Sequence, residues 1–138
     1  MLGAILQSLA NGLPNLIIQF LAALVILGAG SAIYISLTPM REIQLIRANN
    51  PAAALATAGA VVAFAIPLAA VIVSSVNIYD VMVFGVVALA LQLIADFVVH
   101  FILRELPARI SRGEISAAII QVGIKFAIAL LNAAAVTA

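Results

Sequence analysis

The stretch LQLIADFVVHF (91–101) places Gln92, Asp96 and His100 at four-residue intervals inside an apolar run. That spacing puts an amide, a carboxylate and an imidazole on one helix face. A second apolar run holds Gln121 and Lys125, again four apart. Carboxylate, imidazole and ammonium groups held away from water are the material of proton relays and ion sites. They also make ion pairs that fix the register of two helices. No nucleophile–base pair, metal-ligand cluster or phosphate-binding loop accompanies them. The chain has no cysteine, which removes disulfides, zinc–thiolate sites and thiol nucleophiles. The pattern predicts neither an enzyme nor a bound cofactor or metal.

The elements that carry these groups are membrane spans. Of 138 residues, 67% are apolar and only 8% charged, far too little charge for a soluble surface. A net charge of +1 offers no basic face for nucleic acid. A helix crosses a bilayer in roughly 20 apolar residues. Four runs qualify, over 13–37, 51–76, 80–103 and 115–137. They lack the alternation of a barrel strand. The first run has no Lys or Arg ahead of it and exceeds a signal-peptide core, so it reads as a retained span. The prediction is an all-α membrane protein with one integral-membrane domain over 1–138. Connections at 38–50 and 104–114 hold Arg41, Arg47, Arg104, Arg109 and Arg112, and the 74–80 turn and both termini hold no Lys or Arg. The positive-inside rule then puts both arginine-bearing loops in the cytoplasm, with an N-out, C-out arrangement. Partners would meet the chain at those arginines.

Depth arithmetic relates the polar residues. At ~1.5 Å per residue, His100, Asp96 and Gln92 lie about 6, 12 and 18 Å from Arg104. Gln121 and Lys125 lie about 10 and 16 Å from Glu114 on the following span. A short loop makes those spans antiparallel neighbours, so Asp96 and Lys125 fall at matched depth. One charge at the centre of a span costs about 2.5–3.5 kcal/mol, and pairing relieves much of it. The expectation is an Asp96–Lys125 ion pair within a chain or between subunits, with Gln92, His100 and Gln121 around it.

The two halves resemble each other. Residues 53–71 lay without gaps over 117–135, matching Ala53 with Ala117, Gly59 with Gly123 and Ala63 with Ala127. Pro39-x-Arg41 resembles Pro107-x-Arg109. This predicts two tandem helical hairpins, about 13–76 and 80–137, sharing one orientation about an axis along the membrane normal. Small residues four apart in GAGSA (28–32) and AAALATAGA (52–60) predict close helix packing. Asn50-Pro51 suits a helix start. Met40, Ile43 and Ile46, with Arg41, Glu42, Gln44 and Arg47 between them, predict a short amphipathic helix on the inner leaflet. Pro67 predicts a kink in the second span.

The segments LTPMREIQLIRANNPAAALATAGAVVAFAIPLA (37–69), ALQLIADF (90–97) and ALLNAAAVTA (129–138) carry a family resemblance. The pattern is TP…E-x-Q-L-I-x-x-N-N-x-A-A-A, then A-I-P-L, Q-L and L-N-A-A. It resembles the bacterial inner-membrane domain-of-unknown-function family 350. The resemblance implies four spans in two hairpin repeats and multi-pass residence in the inner membrane. It implies an envelope-maintenance setting beside membrane-remodelling proteins. It carries over no functional residues, and its pattern does not include Asp96 or Lys125. The leading expectation is therefore an oligomeric structural or interaction component in envelope maintenance, in contact with lipid and a membrane-remodelling partner protein. The alternatives are an oligomeric ion or proton pathway using Asp96, His100 and Lys125, and an accessory subunit of a larger membrane complex.

Overall fold

The computed structural model describes residues 1–38 and 42–138; Pro39, Met40 and Arg41, with the expectations attached to them, lie outside the described residues. The order is α1 (Leu2–Leu37), α2 (Glu42–Arg47), α3 (Pro51–Ser74), α4 (Ile78–Ile102), α5 (Glu105–Ser111) and α6 (Ile115–Thr137). Four of these, α1, α3, α4 and α6, are long and apolar enough to cross a membrane. Only helices and closed barrels keep every backbone polar group satisfied across hydrocarbon, and without barrel alternation this apolar chain resolves into helices.

Local chemistry sets the ends. Asn50 caps α3, its Oδ1 accepting from the Ala53 N–H at 3.1 Å, with Pro51 in the first turn. Asn77 caps α4 by accepting from the Asp80 N–H at 3.1 Å. The two short helices close alike. After α2, Asn49 sits at φ 62° while its N–H and that of Asn50 bond back to Ile46 and Leu45. After α5, Gly113 sits at φ 87° while its N–H and that of Glu114 bond back to Ile110 and Arg109. Both are Schellman closures, in which a left-handed residue lets the chain turn straight into the next helix. The Asn50 amide also donates to the Ile110 and Ser111 carbonyls at 3.2 and 3.1 Å, tying the start of α3 to the end of α5.

α3 is the centre of the packing. Its Ala52, Ala53, Ala56, Ala60 and Ala63 are fully buried, and its chief neighbour is α6. A Cβ added at Gly59 would run into the Val122 side chain, and one at Gly30 into Leu89. These small residues let backbones approach closely. Spans three and four, α4 and α6, touch as expected. α6 packs mainly on α3, and α4 packs about equally on α1 and α3. α3 continues through the buried Pro67 as one element. The helix in 42–47 is present, but Glu42 is its buried residue while Ile43 and Ile46 face outward. α1 also begins at Leu2, well before the run read from sequence.

Candidate functional site

The bundle interior at the α2 and α5 end is polar. Gln92, Gln121 and Lys125 are fully buried, Asp96 is 2% exposed and Glu42 1%. His100 is half-buried. Four long helices and the short α2 supply these groups. α1 adds Tyr34, α2 Glu42, α3 Thr57, α4 the Gln92–Asp96–His100 face, and α6 Gln121, Lys125 and Asn132.

Lys125 organises the cluster. Its Nζ donates to the Tyr34 hydroxyl and lies over the Tyr34 ring, 4.0 Å from the centroid. Within the chain, the direct Asp96–Lys125 ion pair expected from sequence is not formed. Among the described residues, ion pairs occur only from Arg109 and Arg112 to Glu114, each at 3.2 Å. Depth arithmetic over spans three and four had no place for α1. Its Tyr34 offers both a hydroxyl acceptor and an electron-rich face to the ammonium. Gln121 Nε2 also donates to the Tyr34 hydroxyl, at 3.4 Å. Tyr34 itself stands edge-on to Phe64, with centroids 6.0 Å apart.

Asp96 is tied in through Gln92. The Gln92 amide reaches Asp96 Oδ1 at 3.5 Å and the Lys125 carbonyl at 3.4 Å. Deeper in the bundle, Asn132 donates to the Ala88 carbonyl at 2.9 Å and reaches Gln92 Oε1 at 3.5 Å. Towards the α2 end, the Thr57 hydroxyl donates to Glu42 Oε2 at 2.6 Å. Burial raises the Glu42 carboxyl above the usual carboxylate range, against the opposing pull of the Thr57 hydrogen bond and the Lys125 ammonium.

Several buried atoms have no partner among the described residues: Asp96 Oδ2, Glu42 Oε1, His100 Nε2, Gln121 Oε1 and Asn132 Oδ1. A cavity of about 90 Å³ opens beside the cluster, bordered by Tyr34, Thr38, Leu93, Asp96, Phe97 and His100. The His100 ring lies 6.3 Å from that of Tyr34. Among the described residues, no three His, Asp or Glu side chains converge in a way that would hold a metal ion. Among the described residues, the arrangement sets two buried carboxylates against one buried ammonium. A proton or a monovalent cation would balance the remaining negative charge.

The structure thus gathers Gln92, Asp96, His100, Gln121 and Lys125 around one site, and adds Tyr34, Glu42, Thr57 and Asn132. Tyr34 could have been noticed as a lone phenol in the last turn of an uncharged span, and Glu42 as an acid between two arginines. Thr57 carried no such signal. Of the loop arginines described, Arg47, Arg104 and Arg112 are exposed and Arg109 is half-buried.

The family model described as Domain of Unknown Function (DUF350) matches residues 8–136. The chain is 33% identical over 105 residues to the UPF0719 inner membrane protein YjfL of Escherichia coli K12, covering 76% of this chain and 80% of the relative. The same figures hold for YjfL of Escherichia coli O157:H7. No solved structure matches it significantly. With a family match over most of its length and four helices able to span a bilayer, the chain is a multi-pass inner-membrane protein and belongs to the DUF350 family.

Proposed function

We propose that the chain is a small, non-catalytic inner-membrane protein whose bundle core exchanges protons or a monovalent cation, working as an oligomer. The observation that carries this is the incomplete satisfaction of the cluster. A pair that only fixes helix register is expected to be fully hydrogen-bonded, because each unpaired buried polar atom costs about 1–3 kcal/mol. Here Asp96 Oδ2 and His100 Nε2 are unpartnered, and both residues border the same cavity. The excess of carboxylate over ammonium gives that cavity an affinity for positive charge.

The orientation that goes with this function is N-out and C-out. It places α2, α5 and the exposed Arg47, Arg104 and Arg112 in the cytoplasm. Tandem hairpins complete the reading. The order long, short, long occurs twice, and both short helices end in the same left-handed closure. The exposed arginines favour a second reading, a structural or interaction component in envelope maintenance or in a larger complex. There the basic end would meet anionic lipid or a membrane-remodelling partner.

The test is flux in liposomes that hold the purified chain. Under imposed proton, sodium and potassium gradients, at least one flux should exceed that of empty liposomes. Asp96→Asn should abolish it. Wild-type liposomes that pass none of the three would overturn the proposal and leave the structural reading.

A further inference from the structure

The face that α1 uses to pack in its own bundle continues beyond the end of that bundle. Gly30 and Tyr34 are buried, and Ala23 and Leu27 are half-buried. Their spacing alternates three and four residues, the seam of a helix that packs knobs into holes. The same alternation runs unbroken back through Phe20, Leu16, Leu13, Leu9, Leu6 and Leu2, and all six are exposed. Leu6 is 58% exposed and Leu16 61%.

Length explains the exposure. α1 has 36 residues and α3 has 24, about 54 Å against about 36 Å at 1.5 Å per residue. The far end of α3 meets α1 at a shallow groove where Ile72 faces Asn15, Leu16 and Gln19. Ahead of this groove, residues 1–11 are exposed, and no other element among the described residues covers them. The first turns of α1 are nonetheless strongly patterned. Gln7, Ser8, Asn11 and Asn15 fall on the side away from the leucine seam, and Gln19 is half-buried at the Ile72 groove. Large apolar side chains of residues 2–16 occupy an arc of only about 100°, with Gly3, Ala10 and Gly12 at its flanks.

That pattern selects the kind of partner. A helix lying on a bilayer surface carries Lys or Arg on its polar face, and there is no Lys or Arg before Arg41. A narrow leucine seam with uncharged amides behind it matches another helix bearing the same seam. Every copy of this chain inserts in one orientation, so neighbouring α1 helices run parallel, and leucine meets leucine at equal height.

We propose that residues 2–13 of α1 form the interface between copies of this chain, through the Leu2–Leu6–Leu9–Leu13 seam. This assignment is independent of the ion-exchange reading, since the seam shares no side chain with the polar cluster.

Site-directed cross-linking tests it, because the chain has no cysteine of its own. Leu9→Cys, Leu13→Cys, Asn11→Cys and Asn15→Cys would each be made in the full chain in liposomes and then oxidised. A disulfide needs Cα atoms within about 7 Å, which facing seam positions meet and outward positions do not. Dimers at Leu9→Cys and Leu13→Cys, with little or none at the asparagine positions, are the expected result. Equal or stronger linking at Asn11→Cys and Asn15→Cys overturns the proposal. So does no linking at either leucine position. A membrane-impermeant maleimide then separates two causes of that failure: a segment on lipid hides the leucine positions, and a free segment in water labels at all four. Circular dichroism and a thermal melt confirm that each variant is folded, and these exposed positions should leave both unchanged.

Discussion

Lys125 and Tyr34 can be tested as a coupled pair. Lys125→Met keeps an unbranched stem of similar length in the core and removes the ammonium. Tyr34→Phe removes the hydroxyl and keeps the ring. The edge-on contact with Phe64 and the ring face beneath Nζ both survive that change. A cycle built from these variants therefore isolates the hydroxyl–ammonium hydrogen bond. Neutral hydrogen bonds between membrane helices average about 0.6 kcal/mol in double-mutant cycles. Bonds to a charged group run about 1.5–3 kcal/mol. Both partners are buried here, so the coupling should be about 1.5–2 kcal/mol. Tyr34→Phe alone should cost about 2 kcal/mol, because it also leaves the Gln121 amide short of an acceptor. Unfolding of the full chain in mixed micelles by added SDS, followed by circular dichroism, measures all four corners. Additivity within about 0.5 kcal/mol is the behaviour of independent sites, and would refute the placement of Nζ on Tyr34. So would a larger coupling in the cycle of Asp96→Asn with Lys125→Met, since that would make the carboxylate the ammonium's main partner.

Two further predictions use other parts of the bundle. Gly59→Ala drives a methyl into Val122 and should cost about 1–3 kcal/mol in the same unfolding assay. Gly123→Ala, with open space at its Cβ, should be neutral or stabilise by up to about 1 kcal/mol. Equal effects at the two positions would contradict the packing of α3 on α6. For Glu42, burial raises the folded-state pKa above the ordinary value of about 4.3. Such a group adds stability at low pH, and that contribution is lost as pH rises from about 4.3 through the folded-state value. The melting temperature of Glu42→Gln, relative to wild type, should therefore climb with pH over that interval. A difference that falls with pH would contradict the burial of Glu42.

The spans were legible because hydrocarbon imposes one length and one composition on every crossing helix. The N-terminal boundary of α1 was not. Gln7, Ser8 and Asn11 dilute the hydropathy of residues 2–12, yet nothing there breaks a helix. The α5 helix was hidden inside a connection for a different reason. Seven residues that contain Pro107 and two charges show no span-like signal, and Leu106 and Ile110 bury themselves against Ala52, Ala53, Ala117 and Ala118. Sequence adjacency showed that α4 and α6 meet but not how strongly each span packs on the others. A flat alanine and glycine face on α3 favours α6 whatever the order of the chain.

The polar site divides in the same way. Periodicity found Gln92, Asp96, Gln121 and Lys125 because each stands out against its own apolar helix. It could not supply Tyr34, whose helix packs on α4 from another part of the sequence, or Glu42, which lies among polar neighbours. Yet Glu42, Gln92 and Asn132 all belong to the short pattern that carries the family resemblance. Asp96 and Lys125 do not. In the gap-free register of 53–71 on 117–135, Thr57 falls on Gln121, and both residues reach inward, Thr57 to Glu42 and Gln121 to Tyr34. The first half thus supplies one carboxylate and the phenol, and the second supplies the other carboxylate, the imidazole and the ammonium. Neither half could compensate the buried ammonium and complete the cavity alone. The site exists only where the two parts of the chain meet.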